Sequence, residues 1–144
     1  MKVQRSRLVI VGLAALAAAT LRAQQPAEAR TTNDGVFTEE QAKRGATLYE
    51  QQCAACHGPA LAGIEMAPAL AGPDFNANWS NATVDDLFER TRVSMPQDKP
   101  GTLGRQESAD VVAFVLSFNK FPAGEAELPR ENDALKIIRI VPVK

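Results

Sequence analysis

A chain of 144 residues is long enough for one domain and too short for two comfortable ones. Its 16 Lys and Arg against 17 Asp and Glu give a net charge of −1, so it lacks the basic balance that nucleic-acid binding demands. The supply of soft, metal-competent side chains is small, at two cysteines and a single histidine.

The chain opens on Lys2, Arg5 and Arg7, and Leu8 to Ala19 then forms an unbroken apolar run before polar Gln24 and Gln25. This is the three-part build of a secretory signal peptide, and the run is shorter than the roughly 20 residues a membrane-spanning helix needs. Residues 1–23 are therefore expected to be removed on export, with cleavage after Ala23 or after Ala19, leaving no stable membrane insertion. An uncleaved anchor is the alternative. Removal takes Lys2, Arg5, Arg7 and Arg22 and no acid, which leaves the mature chain distinctly acidic.

Residues 24–36 are polar, with Pro26, Asn33 and Gly35, and read as a flexible leader; order is expected from Phe37. Thr38 and Gln41 fit a reciprocal capping box, which predicts a helix running to about Gln52 with Ala42, Gly45, Ala46 and Tyr49 on one face. From Gly58 to Ser80, repeated Gly and Pro predict compact loop. Thr83, with Asp85 and Asp86 behind it, starts a second helix that carries Val84, Leu87 and Phe88 inward and ends near Arg92. After the loop VSMPQDKPG, a last strong helix is expected over Arg105 to Phe118, with Asn119 as its stop. Residues 123–144 read as an extended tail laid against the body. No segment alternates like a strand and nothing repeats. Three to four short helices tied by long loops make a poor core by themselves, so something else has to fill the middle.

Residues 53 to 57 read CAACH and hold both cysteines and the only histidine. A disulfide between Cys53 and Cys56 would close almost no loop and stabilise little. A thioredoxin-like dithiol expects strands around it. A structural zinc site wants four ligands, and His57 directly after Cys56 is poorly placed to reach the same ion. Covalent haem answers the spacing: on one helical turn the two thiols and the imidazole project from one side, and C-x-x-C-H is the attachment signature. One haem c, tethered by Cys53 and Cys56 with His57 beneath the iron, would supply the missing apolar mass. A neutral, metal-binding His57 needs an acceptor for its other ring nitrogen, and the carbonyl of Pro68 or its neighbours lies at a suitable distance in sequence.

A second histidine ligand is excluded within one molecule. Met66 lies only nine residues past His57 and reads as core lining. Met95, held by Pro96 in an otherwise polar loop, is expected to be the sixth ligand. A filled sixth position leaves the iron able only to change valence, which is electron transfer. The alternative is a haem enzyme or gas-binding sensor with an open or labile sixth position.

Together CAACH, Gly45 and Tyr49 on the first helix and Phe114 on the last resemble the class I c-type cytochromes of bacterial periplasms, over about Phe37 to Pro122. The resemblance implies an all-α cytochrome c fold around one covalently attached haem, with Gly45 letting the first and last helices meet beside aromatic rings. The stretch around Met95 and the tail FPAGEAELP are similar to cytochromes that work with quinoprotein dehydrogenases. That implies redox protein partners, a dehydrogenase donor and an oxidase or another cytochrome as acceptor. In such proteins Trp79 would hydrogen-bond a haem propionate, Arg92 or Arg90 would pair with the other, and Leu61, Leu70, Leu87, Phe88, Leu103, Val112 and Leu116 would line the ring.

Overall fold

A computed structural model describes residues 28–65 and 67–144. The expected signal peptide and Met66 lie outside the described residues. In chain order the described elements are β1 (Arg30–Thr31), α1 (Glu39–Gln52), α2 (Ala54–His57), α3 (Gly72–Trp79), α4 (Val84–Ser94), α5 (Arg105–Phe118), α6 (Asn132–Lys136) and β2 (Ile138–Arg139). Among the described residues the fold is helical, apart from one short parallel pairing of β1 with β2 and two isolated bridges.

Helix α1 begins where Thr38 takes an extended backbone and its hydroxyl accepts from the Gln41 amide at 3.1 Å. The expected return bond from the Gln41 side chain is not made. That side chain is fully buried and grips the far end of the chain: its Nε2 donates to the Leu128 carbonyl at 3.1 Å, and its Oε1 accepts from the Leu128 amide at 2.6 Å. A buried amide needs partners for both ends, and one backbone residue supplies them.

Helices α1 and α5 pack directly on each other. Gly45 makes this possible, because a β-carbon there would collide with the Asp110 carbonyl. Beside this contact the rings of Tyr49 and Phe114 lie 5.2 Å apart, and Arg44 clamps the pair by a two-pronged bond to buried Asp110 at 2.9 and 3.0 Å. The α5 stripe formed by Val112, Ala113 and Leu116 is wholly buried in the core with Leu61, Phe75 and Phe88.

The region expected to be loop from Gly58 to Ser80 contains α3. Its Pro73 sits in the first turn, where a missing N–H costs nothing. Helix α4 has the expected cap at Thr83, here closed into a reciprocal box, Thr83 and Asp86 bonding each other's amides at 2.7 and 3.2 Å.

The two ends of the described chain differ most from expectation. Residues of the expected flexible leader are structured: β1 pairs with β2, and Thr32 and Val36 are buried. The tail is not simply extended: it includes α6 and buries Leu128, Leu135, Ile138 and Ile140 almost completely. Leader and tail thus form one strap. It bonds on to the α3–α4 junction through Asn81 N–H to Ile140 O and Ile140 N–H to Ala82 O, both 2.9 Å.

Candidate haem site

The end of α1 and the single turn of α2 present the CAACH side chains. The His57 amide donates to the Cys53 carbonyl at 2.9 Å, which holds the five residues in one turn. Tyr49 braces this turn from below, its hydroxyl donating to the Gly58 carbonyl at 2.7 Å. Beyond it the chain curls back: the Gly63 amide donates to the His57 carbonyl at 2.9 Å. Gly63 has a left-handed φ of 74°, and a β-carbon there would meet the Ala67 carbonyl at 2.5 Å, so only glycine suits this tight return. The return places the Pro68 carbonyl 2.8 Å from His57 Nδ1. A carbonyl only accepts, so Nδ1 carries a proton, and in the neutral ring this leaves the lone pair on Nε2.

These groups open on a cavity of about 750 Å³, within the size range of cofactor sites. Cys53, Cys56, His57, Pro68, Trp79 and Met95 all line it. Met95 comes from the extended residue that ends α4, its amide still bonded to Thr91 O at 3.2 Å. Of the expected apolar lining, Leu70 and Leu87 face the cavity. Leu61, Phe88, Leu103, Val112 and Leu116 are buried in the protein core instead, and Val111 and Val115 take their place, one step round α5.

Arg92 is not among the lining residues, contrary to the expectation from sequence. On α4 the positions Leu87, Arg90 and Thr91 face the cavity, whereas Asp85, Glu89 and Arg92, at i, i+4 and i+7, form the opposite face. The Arg92 guanidinium is bonded to Glu89 at 2.8 and 3.1 Å. Arg90 is the arginine at the cavity.

Burial pushes the Cys53 thiol up to about 11, with neighbouring Cys56 adding to the rise. A reactive dithiol needs the opposite, a thiolate favoured near neutral pH, so the thioredoxin-like reading loses support. Among the described residues no three His, Cys, Asp or Glu side chains are grouped to hold a metal ion, so a zinc site has no ligand set.

Residues 40–115 match the family described as Cytochrome C oxidase, cbb3-type, subunit III. The chain belongs to this family. It is a class I c-type cytochrome and an electron carrier, and its cofactor is haem c, bound through Cys53 and Cys56. The cytochrome is 27% identical over 113 residues to cytochrome c-551 of Bacillus subtilis strain 168, an alignment covering 78% of this chain and 95% of that one. Among solved structures it is similar to the sulfane dehydrogenase SoxCD from Paracoccus pantotrophus, with a TM-score of 0.51 and 23% identity. That match covers 70% of this cytochrome and 59% of the other chain, and it speaks to the fold alone.

The cavity fits the cofactor. Two thiols three residues apart, an imidazole with one nitrogen already satisfied, a thioether and the apolar side chains of Leu70, Leu87, Val111 and Val115 make a donor set and lining suited to a porphyrin and its iron. Among the described residues no helix is long and apolar enough to cross a membrane.

Proposed function

We propose that this cytochrome is a monohaem carrier exported to the periplasm by its N-terminal signal peptide. It takes single electrons from a dehydrogenase of the quinoprotein kind and passes them to an oxidase or another cytochrome. The observation that carries the reading is the convergence of the CAACH thiols, the His57 imidazole and the Met95 thioether on one cavity. Haem c would supply an iron that changes valence by one electron, and ligation by His57 and Met95 would raise its potential and leave no open position for oxygen or peroxide.

The residues divide the work. Cys53 and Cys56 tether the macrocycle through thioethers. Pro68 orients His57, its carbonyl accepting the hydrogen bond from Nδ1–H, so that Nε2 would be the ligating nitrogen. Met95 would supply the second protein ligand to the iron through its thioether. Trp79 and Arg90 bind the propionates, the indole by its N–H and the guanidinium by charge. The family's name gives independent support to an oxidase on the acceptor side.

The test is made on protein matured with the haem-attachment machinery. The denatured chain should stay coloured and weigh one haem more than a peptide processed after Ala19 or Ala23. The ferric protein should show the far-red charge-transfer band of Met–iron bonding, and Met95→Ala should lose the band while keeping its colour. The reduced protein should not bind CO readily at neutral pH. No such band, together with ready CO binding, would make this a haem enzyme or gas sensor with an open or labile sixth position.

A further inference from the structure

We propose that the strap formed by the leader and the tail is a positioning element for α4, with Asn132 as its central grip, and that it keeps Met95 at the cavity. This rests on the reading of Met95 as an axial ligand. The strap lies outside residues 40–115, the part of the chain that matches the family.

Helix α4 is held between two surfaces. Leu87, Arg90 and Thr91 face the cavity, and Met95 ends the helix there. The opposite face, Asp85 and Glu89, is taken by the tail, where α6 and β2 pack against α4. Asn132 uses every polar atom of its side chain at this contact. Its Nδ2 donates to Asp85 Oδ1 at 2.6 Å and to Glu89 Oε1 at 2.9 Å, and its Oδ1 accepts from Arg105 at 2.6 Å. Arg105 opens α5, which carries Val111 and Val115 of the same cavity. One amide therefore links the two helices that bring apolar lining to the site from the C-terminal half of the family domain. Asp85 is only 9% exposed, so a lost Asn132 leaves a buried carboxylate short of a donor.

The start of α4 is gripped as well. Ile140 bonds both Asn81 and Ala82, and Arg139 donates to the Asn81 carbonyl at 2.6 Å. The strap is itself closed by the β1–β2 pairing and anchored by fully buried Leu135, Ile138 and Ile140. With its start and the middle of its rear face held, α4 opens less readily as a unit, and the side chain at its far end stays where the cavity needs it.

The experiment compares the mature holocytochrome with Asn132→Ala and with Arg44→Ala. Arg44→Ala breaks a clamp of similar kind between α1 and α5, together with an exposed ion pair to Glu127 near the start of the tail, and does not touch α4. In Asn132→Ala, covalent haem is retained, amide exchange across Val84–Ser94 quickens, the far-red Met–iron band weakens, and the rate of CO uptake by the reduced protein rises at least about tenfold, the factor for a single lost hydrogen bond to a charged group, where this variant loses three. Arg44→Ala lowers the unfolding midpoint but leaves band and CO rate at the unaltered values. Should Asn132→Ala not accumulate, Arg139→Ala cuts only the bond to Asn81 and shows the same changes at smaller amplitude. A normal band and CO rate in the strap variants, or equal changes in Arg44→Ala, would overturn the proposal while leaving Met95 as ligand. Absence of the band from the unaltered protein would instead remove the ligand reading, and this inference with it.

Discussion

Gly45 and Asp110 meet backbone to backbone: a β-carbon on Gly45 would run into the Asp110 carbonyl and lie 2.9 Å from Phe114 Cβ. In an exposed helix, exchanging Gly for Ala stabilises by about 1 kcal/mol. Here the sign reverses, because the obstacle is helix backbone that cannot rotate away. Gly45→Ala should destabilise the holocytochrome by about 3 kcal/mol, the upper part of the range for overpacked sites. Chemical denaturation followed at the haem absorbance measures it. An unchanged or raised midpoint would show that α1 and α5 do not meet here.

Gln41 and Leu128 form the second long-range tie, 87 residues apart in sequence. Gln41→Leu keeps most of the volume but leaves the amide and carbonyl of buried Leu128 without partners. The expected loss is about 2–3 kcal/mol, and Gln41→Ala should lose at least as much. If Gln41→Leu proves as stable as the parent in urea melts, the tail does not depend on this side chain.

What could be read ahead of the structure was what the chain encodes locally. CAACH sets its own geometry within one turn, and the caps at Thr38 and Thr83 lie within three residues of their partners. Helix α5 was legible to the residue because its apolar stripe is long. The misses share one cause, a partner distant in sequence. Gln41 has the residue type of a capping box, but a buried acceptor and donor from the tail outcompete Thr38. The β1–β2 pair spans two residues a side, too few for any alternation to register. Helix α3 was hidden by Gly72 and Pro73, read as breakers although proline is at ease in a first turn. Arg92 and Arg90 differ by about 200° around α4, and which of them is turned to the cavity is set by packing against α5 and the tail, both distant in sequence.

Acid should weaken the rear of α4 in a defined window. Glu89 accepts from Arg92 and from Asn132, and these bonds, Arg92 first, hold its carboxyl down to about 2 from an ordinary 4.5. Asp86 is lowered too, by the amide and hydroxyl of Thr83. A carboxylate depressed on folding contributes stability that is complete above its unfolded value and is lost as pH falls through its folded one. For Glu89 the window therefore runs from about 4.5 down to about 2. Its side chain is 31% exposed, so screening keeps the effect modest and salt-sensitive. The difference in urea midpoint between the parent and Glu89→Gln should be steady from neutral pH to about 5, shrink below that, and be smaller in high salt. A difference that ignores both pH and salt would mean that the charge of Glu89 plays no part.

The two arginines of α4 provide a test of which helix face meets the haem. Arg90 lines the cavity and Arg92 is bonded to Glu89 on the far side. A cation near the iron disfavours the oxidised state, which carries one more positive charge, and so raises the potential. Arg90→Gln should therefore lower the midpoint potential of the holocytochrome, by up to about 60 mV, a tenfold change in a one-electron equilibrium. Arg92→Gln removes the same formal charge at a greater distance, and leaves Glu89 without its ion-pair partner, so its main effect should be on acid stability and its shift in potential much smaller. Redox titration of the two variants side by side decides it. Equal shifts would mean that the haem senses only net charge, and a larger shift for Arg92→Gln would put the other face of α4 at the propionates.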